Sequence, residues 1–532
     1  MSSTHGAGSP AIALPGIPAS CDPSHVVTQM VRRASSIGFE SWWQRAQSVG
    51  FCAHPIQLVG TNEYGRETVV WVRCNNRRAS VCPSCSDLYA RDTWQLVAAG
   101  TSGGRHHIPA SVAAHPQVFA TLTAPSFGAV HSSSDTACRD HRRIGESRHC
   151  PHRQPLWCNE NHDHNDPAVG QPLCRDCYDY TGHVLFTWHL PELWRRFTIT
   201  LRRAVSRRLK AAGIHPKSMR VSFVKVVEMQ ARAIPHIHAL IRLDPADPAA
   251  HTATTTSDDH TDYGPAATRG GGEHRHETRP VWESPLSAAE LATLTQHAAR
   301  TVSFEVPEPT AHNPNETATL VVRFGTQIDT QPLNAETIVK VDDSENSGAP
   351  IGRLSPRRVA GYLAKYVTKS LADFGISARR LSSESIADLD VTEHVRAILT
   401  TISALAEGAR QGLGTLTGIG RWLHTLGYRG HITTKSRRYS TTMGKLRSIR
   451  AAWTRQQAAK HTVSPNNPDS REIDALMDGD EVWWEFDRAG HATPGDRTLV
   501  VSAALRHIHA RRTGLVEIRA LRADHPPGVS DG

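Results

Sequence analysis

Two histidines stand one residue apart within an apolar run, "AIPHIHALIRL" (233–243). The side chains of a strand alternate between its two faces, so His236 and His238 would project to the same side. Two neighbouring imidazoles can bind a divalent metal ion, which makes this pair a candidate metal site. The alternative is that both histidines lie on the polar face of a half-exposed strand.

The neighbouring sequence predicts the elements that would position this pair. The run "VSFVKVVEMQ" (221–230) alternates and is rich in β-branched residues, which predicts a strand. The short segment "ARAIP" that separates the two runs predicts a hairpin. Glu228 or Gln230, which share a face, would then lie across from the histidines.

Two tyrosines occur four residues apart in "SPRRVAGYLAKYVTKS" (355–370). Good helix formers follow a Ser-Pro start there, which predicts a helix. Tyr362 and Tyr366 would share one face of it, with Lys365 and Lys369 close by. Tyrosines at this spacing are often only a packing pair, so the pattern alone favours a core helix.

Nine of the ten cysteines form two groups, each of which ends in a Cys-x-x-Cys turn. Such a turn points two thiolates at one ion, and a second pair from elsewhere completes a tetrahedral zinc site. We predict one zinc site from Cys52, Cys74, Cys82 and Cys85, and another from Cys150, Cys158, Cys174 and Cys177. Cys138, His141, His152 or His162 could replace members of these sets. A redox role is the lesser alternative, since neither turn lies in a thioredoxin-like βαβ pattern.

Basic residues are concentrated in two segments without acidic residues. Residues 195–220 carry nine Lys or Arg on a helix-like pattern, and residues 429–455 carry eight. A solvated basic face normally has interspersed acids, so both segments indicate contact with nucleic acid phosphates. The candidate contacts are Arg202, Arg203, Arg207, Arg208, Lys435, Arg437, Arg438 and Lys445.

The composition is that of a soluble basic protein. The chain has 532 residues, 60 Lys and Arg against 51 Asp and Glu, and a net charge of +9. No apolar run approaches the ~18 residues that a membrane span needs. The start lacks the basic n-region of a signal peptide. We therefore expect a cytoplasmic protein, in which close cysteine pairs bind metal rather than form disulfides.

Three motifs resemble, in the same order, those of HUH endonucleases that initiate rolling-circle replication. They are the strand "FATLTAP" (119–125), the His-hydrophobic-His motif in "PHIHALIRL" and the Tyr-x-x-Lys helix in "GYLAKYVTKS". Longer segments, such as "QPLCRDCYDYTGHVLFTWHLPELWRRFT" and "LGYRGHITTKSRRYSTTMGKLR", resemble the replication initiators of actinobacterial conjugative and integrative plasmids.

This resemblance implies an α+β fold, with a ferredoxin-like antiparallel HUH endonuclease sheet and helices. The cysteine groups add zinc-ribbon-like modules that bind Zn²⁺. His236 and His238, with Glu228 or Gln230, would hold Mg²⁺ or Mn²⁺. Tyr362 would attack the DNA and Tyr366 would make a second transfer, although "YVTK" repeats the motif and makes Tyr366 an alternative first nucleophile. Lys365 or Lys369 would favour the phenolate. The expected partners are plasmid origin DNA, duplex and single-stranded, and host replication proteins such as helicase and polymerase.

We divide the chain accordingly. Residues 1–40 are expected to be a disordered tail and 41–100 a zinc-binding module. Residues 101–243 would form the first part of the nuclease domain, with a zinc-binding insertion at 138–177, and 244–285 a flexible linker. The second part of the nuclease domain would span 286–400, with a Ser-capped helix before its strands, and 401–532 would be a basic C-terminal region that contacts DNA.

Two rival functions remain compatible with the sequence. An HUH transposase or relaxase would carry the same tyrosine signature. A zinc-ribbon DNA-binding regulator without catalysis would leave the His-x-His strand and the tyrosine helix as coincidences.

Overall fold

The five-stranded sheet that carries the histidine strand is assembled from distant parts of the chain. The computed structural model describes residues 21–61, 65, 67–133, 138, 149–163, 166–246, 282–307, 319–333, 356–368, 374–376, 380–411, 416, 418–461 and 483–524. These residues fall into two units, one formed by the chain up to Asp92 and from Gly444 onward, the other by Thr93–Met443.

The first half of the chain contains four helices and five strands among its described residues. They are α1 (Pro23–Ala34), α2 (Phe39–Ser48), β1 (Ile56–Thr61), β2 (Glu67–Val72), α3 (Pro83–Ser102), β3 (Gln117–Leu122), α4 (Tyr180–Ala211), β4 (Met219–Met229) and β5 (Pro235–Pro245).

The second half contributes five helices and five strands to the described structure. They are α5 (Ala288–Thr301), β6 (Ser303–Pro307), β7 (Thr319–Arg323), β8 (Ile328–Leu333), α6 (Pro356–Tyr366), α7 (Glu393–Arg410), β9 (Thr433–Lys435), α8 (Met443–His461), β10 (Trp483–Ala489) and α9 (Pro494–Asp524).

The central sheet has the strand order β8-β3-β5-β4-β9, and every neighbouring pair is antiparallel. The predicted hairpin of β4 and β5 is confirmed, with Glu228 paired to His236 across the strands. Its turn is closed by two backbone hydrogen bonds, from Gln230 N to the Ile234 carbonyl (3.0 Å) and from Ala233 N to the Gln230 carbonyl (2.8 Å). Gln230 therefore belongs to the turn, and Glu228 is the residue that lies across from the histidines.

One face of this sheet forms the main hydrophobic core. Ile237, Ala239, Ile241 and Leu243 of β5 pack with apolar residues of α4 and α5, such as Phe197. Because strand side chains alternate, His236, His238 and the other even-numbered residues of β5 project from the opposite face. The predicted Ser cap of α5 is confirmed as a capping box of Ser287 and Glu290.

The unit built from the two chain ends has its own sheet, β10-β1-β2, and its own apolar cluster, with Trp42, Phe51 and Val500. The prediction of a disordered tail over 1–40 is wrong for α1. Asp22 caps this helix by accepting from the Ser24 amide, and Arg33 pairs with Asp496 at 2.7 Å. The helix was missed because the Pro/Gly-rich residues before it dominate the local composition.

Two other predicted boundaries differ from the structure. The C-terminal region 401–532 is divided, since residues up to Met443 belong to the central unit. The predicted linker 244–285 falls mostly outside the described residues, and its first two residues end β5. None of the described helices is long and apolar enough to cross a membrane.

Candidate active site

Glu228, His236 and His238 lie on one face of the central sheet and are buried. The Nε2 atom of His238 lies 3.0 Å from Oε2 of Glu228, and its Nδ1 atom lies 3.2 Å from the hydroxyl of Thr121 on β3. With the proton on Nε2, the ring donates to Glu228 and accepts from Thr121; with the proton on Nδ1, the ring donates to Thr121 and Nε2 can bind a metal ion. These two contacts fix the plane of the imidazole.

His236 differs from His238 in its hydrogen bonding. Its Nε2 atom is buried and has no hydrogen-bond partner within the described structure. Burial, with smaller contributions from Arg232 and His238, lowers the pKa of His236 to about 3. The ring is therefore neutral at physiological pH and keeps an unpaired nitrogen, which is the state that a metal ligand requires.

Two imidazoles and one carboxylate are a donor set that can hold a divalent metal ion. The ligand atoms of Glu228, His236 and His238 are not all within 4.8 Å of one another. Binding of one shared ion therefore requires a change of side-chain orientation, and His236, with its unpartnered Nε2, is the member of the set that can supply it.

Helix α6 brings both tyrosines to this face. Val359, Ala360 and Leu363 form its buried stripe, which leaves Tyr362 and Tyr366 on the side that faces His238. The centroids of the two phenol rings are 4.4 Å apart. The sequence prediction that the pair shares one helical face is confirmed, and the structure adds that this face meets the histidine strand.

The two tyrosines have different surroundings. Tyr362 is 36% exposed, and its ring also meets the edge of Phe119, with the centroids 5.9 Å apart. Burial raises the pKa of the Tyr362 phenol, and the nearby Tyr366 hydroxyl and Glu228 carboxylate raise it further. The Nζ atom of Lys365 is 6.0 Å from the Tyr366 ring centre. Lys369 lies outside the described residues.

A buried polar network continues along the same face of β5. Asp244 accepts from Arg242 Nε at 2.6 Å and from the Ser222 hydroxyl at 2.6 Å, and it lies 2.9 Å from His115 Nδ1. The Arg242 guanidinium also stacks over the ring of Tyr439. Tyr439, which the sequence places in a basic segment, is thus fully buried and supports the sheet.

The four residues predicted for the first zinc site come together. The Sγ atoms of Cys52, Cys74, Cys82 and Cys85 all lie within 4.8 Å of one another. Three backbone amides donate to two of the sulfurs: those of Ala53 and Cys85 to Cys82 Sγ, at 3.2 and 3.4 Å, and that of Cys74 to Cys52 Sγ at 3.4 Å. Four convergent sulfurs with amide donors are a donor set that suits tetrahedral zinc.

The second predicted site is divided differently in the structure. Cys150, Cys174 and Cys177 group with His152, whose Nδ1 lies 3.2 Å from Cys177 Sγ. Cys158 instead lies 3.4 Å from His162 Nε2. The assignment of Cys158 to the Cys150 site is corrected, because the fold carries it to a third group, which consists of His131, Cys138, Cys158 and His162.

His131 was the ligand candidate missed by the sequence analysis, and His152 was named only as a substitute. The informative signals were the short spacings Cys150-x-His152 and Cys158-x₃-His162. The alternative ligand His141 lies outside the described residues.

The predicted DNA contacts are mostly exposed. Arg202, Arg203 and Arg207 lie on the exposed side of α4, and Arg437, Arg438 and Lys445 are exposed as well. Arg208 is exposed but pairs with Glu290 at 2.7 Å. Lys435 is half-buried, and its Nζ donates to the carbonyls of Ser436, Arg437 and Ser440, which holds its own loop.

The comparisons with known proteins extend over nearly the whole chain. Residues 38–505 match the family described as "Replication initiator protein, pSAM2". A replication initiator protein of Streptomyces ambofaciens is 34% identical over 508 residues, which cover 91% of this chain and 93% of the relative. No solved structure matches the chain. The expectation of a replication initiator is thereby confirmed, and the chain belongs to the family of the pSAM2 replication initiator protein.

Proposed function

We propose that this replication initiator starts rolling-circle replication by nicking one strand of plasmid origin DNA, as HUH endonucleases do. The observation that carries the proposal is the meeting of α6 with β5. Two tyrosines four residues apart pack on the imidazole of a His-x-His strand, at centroid distances of 5.1 and 5.6 Å. A non-catalytic regulator has no need of this arrangement.

The proposed reaction is a transesterification. The phenol of Tyr362 gives up its proton, and its oxygen forms a bond to the phosphorus of the scissile phosphodiester. The bond from phosphorus to the 3′ oxygen breaks, and that oxygen takes up a proton. The products are a 5′-phosphotyrosine and a free 3′-hydroxyl, so one ester replaces another and the strand can be rejoined without ATP.

The chain's own residues prepare this step. Glu228 and Thr121 hold the His238 ring in one orientation, and His236 is kept neutral by burial. A divalent ion bound by Glu228, His236 and His238 would neutralise charge on the scissile phosphate in the transition state. The raised pKa of Tyr362 in the free protein implies that the phenol stays protonated until DNA and metal bind.

Tyr366 gives the site a second nucleophile. Its ring lies 4.4 Å from that of Tyr362 and stacks on the same imidazole. While Tyr362 holds the first 5′ end, Tyr366 can attack a second phosphodiester and release the displaced strand.

Recognition of the origin is assigned to other surfaces. Arg202, Arg203 and Arg207 form an exposed basic face on α4, which we name the α4 basic face. Such a face attracts DNA phosphates through release of counterions. The cysteine and histidine groups would hold zinc and stabilise the modules that carry them. The free 3′-hydroxyl would then be extended by the host polymerase, after a helicase opens the duplex.

The proposal is tested by trapping the covalent adduct. The full chain is incubated with Mn²⁺ and single-stranded oligonucleotides that tile the plasmid's origin region, labelled at either end. We expect the 3′-labelled product to remain attached to protein on a denaturing gel and the 5′-labelled product to be released with a free 3′-hydroxyl.

The opposite distribution of labels would mean that the protein joins the 3′ end, which excludes the proposed reaction. Binding of the oligonucleotides without an adduct at any position would instead identify a non-catalytic DNA-binding protein. The variant that lacks both phenol oxygens, Tyr362→Phe with Tyr366→Phe, serves as the control for background attachment.

A further inference from the structure

The segment between β3 and α4 lacks the usual means of holding a fold together. Between Ala129 and Cys177, its described residues form no helix or strand, only two isolated bridges, Val130 with Pro172 and His149 with Pro155. The buried side chains in this described stretch are Cys138, Cys150, His162 and Cys174. Each of them belongs to a group of cysteines and histidines, so apolar burial does not explain this local fold.

One of these groups mixes two cysteines with two histidines and matches neither of the two zinc sites that the sequence predicts. His131, Cys138, Cys158 and His162 place one ligand atom each within 4.8 Å of the others. His131 Nδ1 lies 3.2 Å from His162 Nε2 and 3.9 Å from Cys138 Sγ. Two thiols and two imidazoles at this separation form a tetrahedral donor set that suits zinc.

The chain order of the ligands links this group to its neighbour. His131 and Cys138 come first, then Cys150 and His152, then Cys158 and His162, and last Cys174 and Cys177. The first and third pairs meet, and the second and fourth pairs meet. We infer that these eight residues hold two zinc ions, one at each group, in a cross-braced arrangement in which the ligand pairs of the two ions alternate along the chain.

The surroundings of the ligands support metal binding. The carboxylate of Asp166 lies 2.7 Å from Nδ1 of His162 and so directs its Nε2 toward the group. A carboxylate behind an imidazole is the usual second partner of a zinc-bound histidine. The Ser132 amide donates to Cys138 Sγ at 3.2 Å, and the Gln154 amide to Cys150 Sγ at 3.4 Å, which stabilises thiolates.

Cross-bracing makes the two sites depend on each other. The loop closed by one ion contains ligands of the other, so neither loop can form its native path while the other is open.

The insertion also contacts the turn of the central sheet that precedes β5. Gly170 packs against the backbone of Ala231, in the turn that leads to the histidine strand, and a Cβ there would lie 2.5 Å from its carbonyl carbon. The insertion therefore supports the entrance to β5.

The test measures zinc in the full chain. Zinc per chain is determined for the wild type and for His162→Ala by native mass spectrometry and elemental analysis. We expect the variant to lose one ion, or two because of the coupling between sites. A wild-type zinc content in His162→Ala overturns the inference, since a single site made of Cys150, Cys158, Cys174 and Cys177 would not need this histidine.

Two further variants separate ligation from folding. His162→Cys keeps a zinc ligand, so it should retain the wild-type zinc content, and its Co²⁺-substituted form should show stronger thiolate-to-metal absorption than wild type. Loss of zinc in both His162→Cys and His162→Ala would show that the ring only supports the fold and would overturn the inference. His149→Ala, an exposed histidine of the same segment, is the matched control and should keep all its zinc.

Discussion

The ring of Tyr362 stands edge-on to the imidazole of His238, with an interplanar angle of 90° and centroids 5.1 Å apart. Tyr366 lies against the same imidazole at 30° and 5.6 Å. Both phenols therefore reach one histidine, but only Tyr362 adds an edge contact with Phe119, through a ring that is 36% exposed. The nucleophile of the first step is expected to be the more exposed tyrosine.

The first prediction separates the two tyrosines. Phenylalanine removes the attacking oxygen and keeps the ring, so packing changes little. Tyr362→Phe should form no initial adduct with single-stranded origin DNA, whereas Tyr366→Phe should nick normally and fail only in the second transfer. Mass spectrometry of the trapped peptide with its nucleotide identifies the attached residue.

Two results would contradict this assignment of the tyrosines. An initial adduct found only on Tyr366 reverses the order of the two nucleophiles. An adduct that persists when both phenol oxygens are absent removes the tyrosine mechanism.

The second prediction concerns the histidine pair. The double change His236→Ala and His238→Ala should lower the rate of nicking by about 100-fold or more, because charge on the phosphate is no longer stabilised in the transition state. Binding of duplex origin DNA should stay close to wild type, since phosphate contacts by exposed basic residues carry most of its affinity. Gel-shift and nicking assays on the same preparation measure both quantities.

A histidine on the protein surface provides the control for this pair. His215 is exposed, and His215→Ala should leave nicking unchanged. Nicking at a near wild-type rate in the double variant would refute a catalytic role for the His-x-His strand.

The sequence predicted the elements of this site well because their signals are local. The alternating pattern of side chains predicted the strands β4 and β5, and the short segment between them predicted their hairpin. The i, i+4 spacing of the tyrosines predicted that they share one face of a helix. Their meeting is a long-range contact between residues 238 and 362. Strand and helix periodicity carries no information about such contacts, so the resemblance to HUH endonucleases supplied it.

The ligand partition could not be predicted from local signals. A Cys-x-x-Cys turn specifies half of a site, and the other half depends on which chain segment the fold brings to it. The prediction placed Cys158 with the wrong ligands, because the spacing of the cysteines does not show that the ligand pairs of the two groups alternate along the chain. Lys435 was likewise assigned by charge, whereas its position beside three carbonyls depends on the path of its loop.

The third prediction concerns the four-cysteine group near β1. Cys82 is fully buried, and its Sγ lies 3.8 Å from that of Cys52. Because a structural zinc ion contributes directly to folding, Cys82→Ser should release one zinc ion and lower the melting temperature by several degrees. Cys21→Ser, which changes a cysteine outside every group, should do neither. Wild-type protein purified without zinc would contradict this prediction.

Two buried histidines hold the turn that precedes the histidine strand. His183 of α4 lies 3.3 Å from the carbonyl of Ala233, and His394 of α7 lies 3.2 Å from that of Arg232, each through Nε2. The other nitrogen of each ring contacts a tyrosine hydroxyl, of Tyr178 at 2.9 Å and of Tyr180 at 3.2 Å. Both rings act as neutral donors to the backbone, which makes the turn sensitive to acid.

The last prediction follows from the pKa values of these histidines. Burial, with a smaller contribution from His394, lowers the pKa of His183 to about 3, and burial lowers that of His394 to about 4. The unfolded chain binds protons near pH 6.5, so the stability that both rings contribute is present above that pH and is lost as the pH falls toward 4. From pH 6.5 to 5.5 the free energy of unfolding should fall by ~1 kcal/mol for each histidine.

Urea denaturation over this range should show a shallower pH dependence of the free energy of unfolding in the variant with His183→Gln and His394→Gln than in wild type. Zinc ligands titrate equally in both proteins, so the difference isolates the two histidines, and parallel curves would show that neither one carries the acid sensitivity.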